Sequence, residues 1–137
     1  CNDEYAKKNF KDFLLKKYNS VLNLNSPWSS KFDSADKIQY PQKPDANNKR
    51  PWLDFIQWRY DSMTNFAAFV AETYRKYFPN AILMLPMGGG VAPRSHGQYN
   101  TALPKAMKQY NVHIRSTAAG SAQLQKDLSI SERFQIN

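Results

Sequence analysis

Apolar positions recur at helical spacing near the start of the chain. Tyr5, Ala6, Phe10, Phe13, Leu14 and Tyr18 make one stripe, which predicts a helix capped by Asn2 or Asp3 with that stripe against a core. Ser20 can cap a short turn over Val21 to Leu24, and Ser26-Pro27 is expected to stop it. Residues 27–50 then read as an irregular loop, with Pro41, Pro44, Asn47 and Asn48 as turn formers and Ile38 and Tyr40 as anchors. Pro51 suits the first turn of a long helix to about Phe78. In it Leu53, Ile56, Tyr60, Met63, Ala67, Val70, Tyr74 and Tyr77 alternate steps of three and four over roughly seven turns, the strongest helical signal in the chain.

Past Pro79-Asn80 the pattern changes. Ala81 to Leu85 is an unbroken apolar run and predicts a strand covered on both faces, as in parallel sheets flanked by helices. Pro86 to Gly90 form a glycine-rich loop. A second helix is expected from Thr101 to Tyr110, with Pro104 in its first turn, and a second strand from Val112 to Thr117. Gly120 opens a weaker helix to about Leu128, and Arg133 to Asn137 reads as the start of a third strand. The chain is therefore expected to be one segment, helical over 1–26, irregular over 27–50 and αβαβαβ over 51–137. That order builds parallel strands with right-handed helical crossovers, and ligands gather at the carboxyl ends of such strands.

Composition narrows the classes. With 42% apolar and 14% aromatic residues in 137 positions, the chain can bury a core. No apolar run is long enough to cross a membrane and no signal peptide is read, so a soluble protein is expected, its compartment left open. The single Cys1 excludes an internal disulfide and any multi-cysteine metal site. Nineteen basic against eleven acidic side chains give +8, but Lys7, Lys8, Lys11, Lys16 and Lys17 are interspersed along one helix and form no block. Solvated faces are favoured over a nucleic-acid surface.

Candidate chemistry is sparse. Gly88 to Gly90 lack the Gly-Lys-Ser/Thr of a phosphate loop and the third glycine of a dinucleotide fingerprint, so they read as a strand-end loop or a structural turn. His113 lies mid-strand, where a hydrogen-bonded packing role is expected, while His96 sits in the glycine-rich loop where it could touch a ligand. No metal site and no cofactor are assigned. Asp54 and Asp61 are the helix-borne carboxylates on one face, about 10 Å apart along the axis, and solvent exposure is expected of both. No nucleophile elbow is present. Arg115, Ser116 and Thr117 would put a cation and two hydroxyls at the end of a buried strand, where a ligand or a structural ion pair must satisfy them.

Several motifs occur in a familiar order: Cys1 to Ala6, Phe13 to Tyr18, Leu22 to Asn25, Trp28, Phe32 to Ile38, Trp52 to Trp58, Asp61 to Thr64, Arg75 to Pro79, Leu85 to Gly89 and Ile114 to Thr117. Together they resemble the segment that follows the fourth strand in β-galactosidase-like clan A glycoside hydrolases, family 42 and its relatives. The resemblance implies part of a (β/α)8 (TIM) barrel whose acid/base and nucleophile glutamates stand at the ends of the fourth and seventh strands. Both would fall outside this chain, so no catalytic residue is assigned and the isolated chain is expected to be inactive. A full barrel needs about 250 residues. What the resemblance leaves here is a wall of a galactoside-binding cleft, formed by Met87, Gly88, Gly89, His96, Arg115, Ser116 and Thr117. The partners it implies are a carbohydrate and the remainder of the barrel or a complementing chain. Similar sequences often continue with Thr-Asn-Glu, whereas this one has Thr117-Ala118-Ala119. A non-catalytic binding or structural module, with or without a basic face for nucleic acid, is the alternative.

Overall fold

The computed structural model describes residues 3–87 and 101–116. The helix expected over 120–128, the strand expected over 133–137, the Gly88 to Gly90 loop, His96 and Thr117 lie outside the described residues. The chain divides into two compact units, Cys1–Arg59 and Tyr60–Asn137, with the boundary inside the long helix.

In the first unit α1 spans Glu4–Tyr18. Asp3 caps it by accepting from the Ala6 N–H at 2.8 Å, and Asn19, at φ 64°, closes it in the left-handed conformation that asparagine tolerates. Helix α2, Val21–Trp28, starts at Ser20, whose hydroxyl accepts from the Asn23 N–H at 3.1 Å. It runs through Pro27 instead of stopping at Ser26. In a last turn, proline removes a single donor and leaves the preceding bonds standing. Asn25 then folds the exit, its Oδ1 accepting from Ser30 Oγ and the Phe32 N–H and its Nδ2 donating to the Phe32 carbonyl.

A 3-10 turn over Ala35–Lys37 leads to Ile38, which is buried with Phe10, Leu14, Leu24, Trp28 and Trp58. Tyr40 packs its ring 5.1 Å from Phe10 and 5.4 Å from Trp58, so both expected anchors hold the otherwise irregular segment. Its hydroxyl is buried without a hydrogen-bond partner among the described residues. Tyr5, counted in the α1 stripe, is instead exposed.

Helix α3 spans Arg50–Tyr77. Its buried positions are Asp54 and Trp58 in the first unit and Ala71 in the second, with Ala67 and Ala68 partly buried beside it. The expected stripe is thus offset: Leu53, Met63, Tyr74 and Tyr77 are exposed. A helix carrying apolar residues on two flanks satisfies the same periodicity twice, and the small alanines let it lie closest to the strands.

In the second unit β1, Leu83–Met87, pairs in parallel with β2, Val112–Ser116, from Leu83 opposite Val112 to Met87 opposite Ser116. Between them α4, Ala102–Gln109, buries Leu103, Pro104 and Met107, with Leu103 and Met107 in one cluster with Met87, Ile114 and Ala71. One face of the strand pair is covered and the other is not. Met84 and Pro86 are exposed, against the expectation that β1 is covered on both sides, because the described residues place helices over one face only. His113 stands on that same open face, exposed instead of packed. The described residues are a mixed helix-and-strand arrangement with a two-stranded parallel sheet, and they do not close a barrel.

Candidate functional site

The parallel register brings the carboxyl ends of β1 and β2 side by side, Met87 opposite Ser116 and Pro86 opposite Arg115. Alternation then sorts the candidates. Met87 points to the helices and is buried among Ala71, Leu103, Met107 and Ile114. Arg115 points the other way and is exposed, on the face it shares with Met84, Pro86 and His113. The strand ends therefore offer a guanidinium on the open face, backed by a methionine that holds the sheet to its helices. Gly88, Gly89, His96 and Thr117 lie outside the described residues. No cluster of three or more potential metal ligands occurs among the described residues, and no described helix is long and apolar enough to cross a membrane.

The most constrained polar group lies in the first unit. Asp54, expected at the surface, is 1% exposed. Its Oδ1 receives Lys17 Nζ at 2.9 Å and lies 3.2 Å from Arg50 Nε, while its Oδ2 receives Tyr18 OH at 2.6 Å and Trp28 Nε1 at 2.8 Å. Burial pushes the carboxyl up, but the bonds from Lys17, Trp28 and Tyr18 and the charge of Lys17 outweigh it, holding Asp54 below the usual carboxylate range. Burial, then the bond to Asp54, raises the Tyr18 hydroxyl, while Arg50, donating to its oxygen at 2.9 Å, acts against them. The hub joins α1, α2 and α3. With every partner supplied by the chain it reads as a structural anchor, not a reaction centre. Helical periodicity conceals it, since the donors come from positions 17, 18, 28 and 50. The one hint in the sequence is that an aspartate interrupts the aromatic run from Trp52 to Trp58.

Part of the positive charge is paired with carboxylates. Lys7 meets Glu4, Lys8 meets Asp12, Lys11 meets Asp36 and Lys37 meets Asp33, all within 3.5 Å. Exposed pairs of this kind add little stability, but they interrupt what would otherwise be a basic stripe along α1.

Against known proteins, the model of the family 42 glycoside hydrolases, the β-galactosidases, matches residues 1–114. The chain belongs to glycoside hydrolase family 42. No curated protein and no solved structure matches it. The matched range takes in all the described helices and β1 and reaches Ile114 within β2, so the buried aspartate hub and most of the strand pair belong to this glycoside hydrolase portion.

Proposed function

We propose that this chain is the central part of a family 42 (β/α)8 barrel and forms one wall of its galactoside-binding cleft, with both catalytic glutamates outside these 137 residues. One observation carries the reading: a family match that reaches into β2 covers a parallel strand pair whose carboxyl ends lie in register, with helices on one face only among the described residues. In a barrel the helix-free face of each strand is the interior, and strand carboxyl ends surround the substrate. On this reading Arg115 reaches toward a sugar hydroxyl from the inner face. Gly88 and Gly89 let the backbone approach the sugar, and His96, Ser116 and Thr117 complete the polar rim. Met87 serves from behind, by fixing β1 against its helices.

The isolated chain, lacking both carboxylates, hydrolyses no glycoside. In the parent hydrolase, Arg115→Ala raises KM for a nitrophenyl β-galactoside about tenfold, which corresponds to about 1.4 kcal/mol. An unaltered KM and kcat would remove the β2 end from the cleft. The local pairing of the α1 lysines supports the carbohydrate reading over a nucleic-acid surface.

A further inference from the structure

Among the described lysines that meet a carboxylate, Lys11 is the least exposed, at 25%, and its ammonium is the worst bonded. It reaches Asp36 Oδ1 at 3.5 Å and the Asp36 carbonyl oxygen at 3.4 Å, whereas Lys7, Lys8, Lys17 and Lys37 each find an oxygen within 3.0 Å. An N–H donor settles at about 2.9–3.0 Å from its acceptor, so a largely buried group with three hydrogens to give holds only marginal bonds. Tyr40 is in a similar position. Its hydroxyl is buried with no partner among the described residues, and burial, then the charges of Asp3 and Glu4, push its pKa up.

Both side chains line one open cavity in the first unit, about 460 Å³ in volume and within the about 300–1,000 Å³ of small-molecule sites. Helix α1 contributes Glu4, Lys7 and Lys11, the 3-10 turn contributes Asp36, and the segment after it contributes Gln39 and Gln42. The apolar part of the lining is fixed by the core. Phe10 and Ile38 are buried in it, and the Tyr40 ring packs against Phe10, Phe55 and Trp58. Walls held in this way order the polar groups before a ligand arrives, which lowers the cost of binding.

The polar lining selects the class of ligand. Two ammonium groups stand with two carboxylates, so the cavity carries no net charge and favours neither an anion nor a cation. Its hydrogen-bonding capacity is mixed, since ammonium only donates, carboxylate only accepts, and the amides of Gln39 and Gln42 do both. A hydroxyl also does both, so a ligand with several neighbouring hydroxyls can meet all of these groups. We propose that this cavity binds a neutral sugar unit, which completes the bonding of Lys11 and Tyr40. The chemistry of the lining carries the inference independently of the barrel reading, because the cavity belongs wholly to the first unit and the strand ends to the second.

Amide-resolved NMR of the full 137-residue chain, titrated with methyl β-galactoside, tests it. The expected result is saturable shifts at Lys11, Gln39 and Tyr40 and at the side-chain amides of Gln39 and Gln42, with a Kd on the order of millimolar. Lys11→Met keeps the apolar stem, removes the ammonium and weakens binding about tenfold. Tyr40→Phe weakens it about threefold or more without loss of the fold. Lys8→Met, outside the cavity lining, leaves it unchanged. If Lys11→Met does not fold, Gln39→Ala at an exposed position takes its place and also weakens binding. Absence of shifts at these residues, or a Kd that neither Lys11→Met nor Gln39→Ala moves, overturns the inference. A stronger response to inorganic phosphate than to the galactoside overturns it in favour of an anion site. Shifts confined to the ends of β1 and β2 also overturn it, while supporting the cleft reading of those strand ends.

Discussion

Arg75 Nη2 donates to the carbonyl oxygen of Asn111 at 3.0 Å, linking the last turn of α3 to the residue before β2. The same guanidinium donates through Nε to Tyr110 and through Nη1 to Pro79 and Ala81. One side chain thus ties the α3–β1 turn to the α4–β2 turn, where Asn111 adopts φ 51°. Only a planar fork of several donors can hold four carbonyls at once. Arg75→Ala is expected to lower stability by about 2–3 kcal/mol, since bonds from a charged donor contribute about 1.5–3 kcal/mol where they are shielded. Arg75→Lys should recover less than half of that. Urea unfolding measures both, and a lysine variant as stable as the parent would refute the clamp.

Asp54 anchors the first unit through four donors. Removing one partner of a buried ion pair costs about 3–5 kcal/mol because the other charge stays behind, so Asp54→Ala should approach the whole stability of a small unit. Tyr18→Phe should cost about 1.5–3 kcal/mol, the range for hydrogen bonds to a charged group. A double-mutant cycle on these two positions should show strong coupling, whereas independent additive effects would mean that the 2.6 Å bond contributes nothing.

The same carboxylate sets a pH dependence. Its folded pKa lies below the ordinary value of 3.8, so the unfolded chain binds the proton first as the solution is acidified. The stabilisation is fully present above that ordinary value and is lost as pH falls through the lower folded one. Unfolding midpoints measured from pH 6 down to about pH 2 should therefore drop on the acid side. Asp54→Asn should flatten that limb while lowering stability at neutral pH. An acid limb of the same steepness in the variant would assign it to other carboxylates.

How much of this could be read beforehand depended on the range of the interactions. Capping by Asp3 and Ser20, the long helix, the order of the two strands and the anchoring by Ile38 are local or periodic, and each is legible in residue spacing, although β1 lies two residues beyond the expected Ala81 to Leu85. The buried side of α3 was not, because Met63, Tyr74 and Tyr77 keep helical spacing as well as Ala67 and Ala71 do. The burial of Asp54 is hidden for a different reason. A mid-helix aspartate is normally solvated, and only the meeting of Lys17, Trp28 and Arg50 around it makes burial tolerable. For the site, the placement of Arg115 and Met87 at adjoining strand ends follows from the βαβ order. Their opposite orientations follow from the strand registers, which begin two residues later in β1 than its apolar run suggested.

Tyr40 makes a contrasting case. Its ring is held by Phe10, Phe55 and Trp58 while its hydroxyl finds no partner among the described residues, and burial, with Asp3 and Glu4 nearby, raises its pKa. An unsatisfied buried hydroxyl costs about 1–3 kcal/mol. Tyr40→Phe should therefore be neutral or stabilise the chain by about 1 kcal/mol. A clear loss in thermal unfolding would show that the hydroxyl is bonded.

Arg115 and Met87 sit one register step apart on opposite faces of the sheet, so their substitutions should separate packing from binding. Met87→Ala empties a position buried among Leu103, Met107 and Ile114 and should cost about 2–5 kcal/mol, the range for truncating a buried methionine. Arg115→Ala, on the open face, should change stability by about 0.5 kcal/mol or less. In the parent hydrolase the order should invert: Arg115→Ala weakens galactoside binding with an intact melting curve, and Met87→Ala lowers the melting temperature while KM stays near its original value. Measuring both variants in both assays checks the assignment. Equal losses in the two assays for each would mean that the β1 and β2 ends act only as a packed unit, with no division between the residue that meets the sugar and the residue that holds the strand.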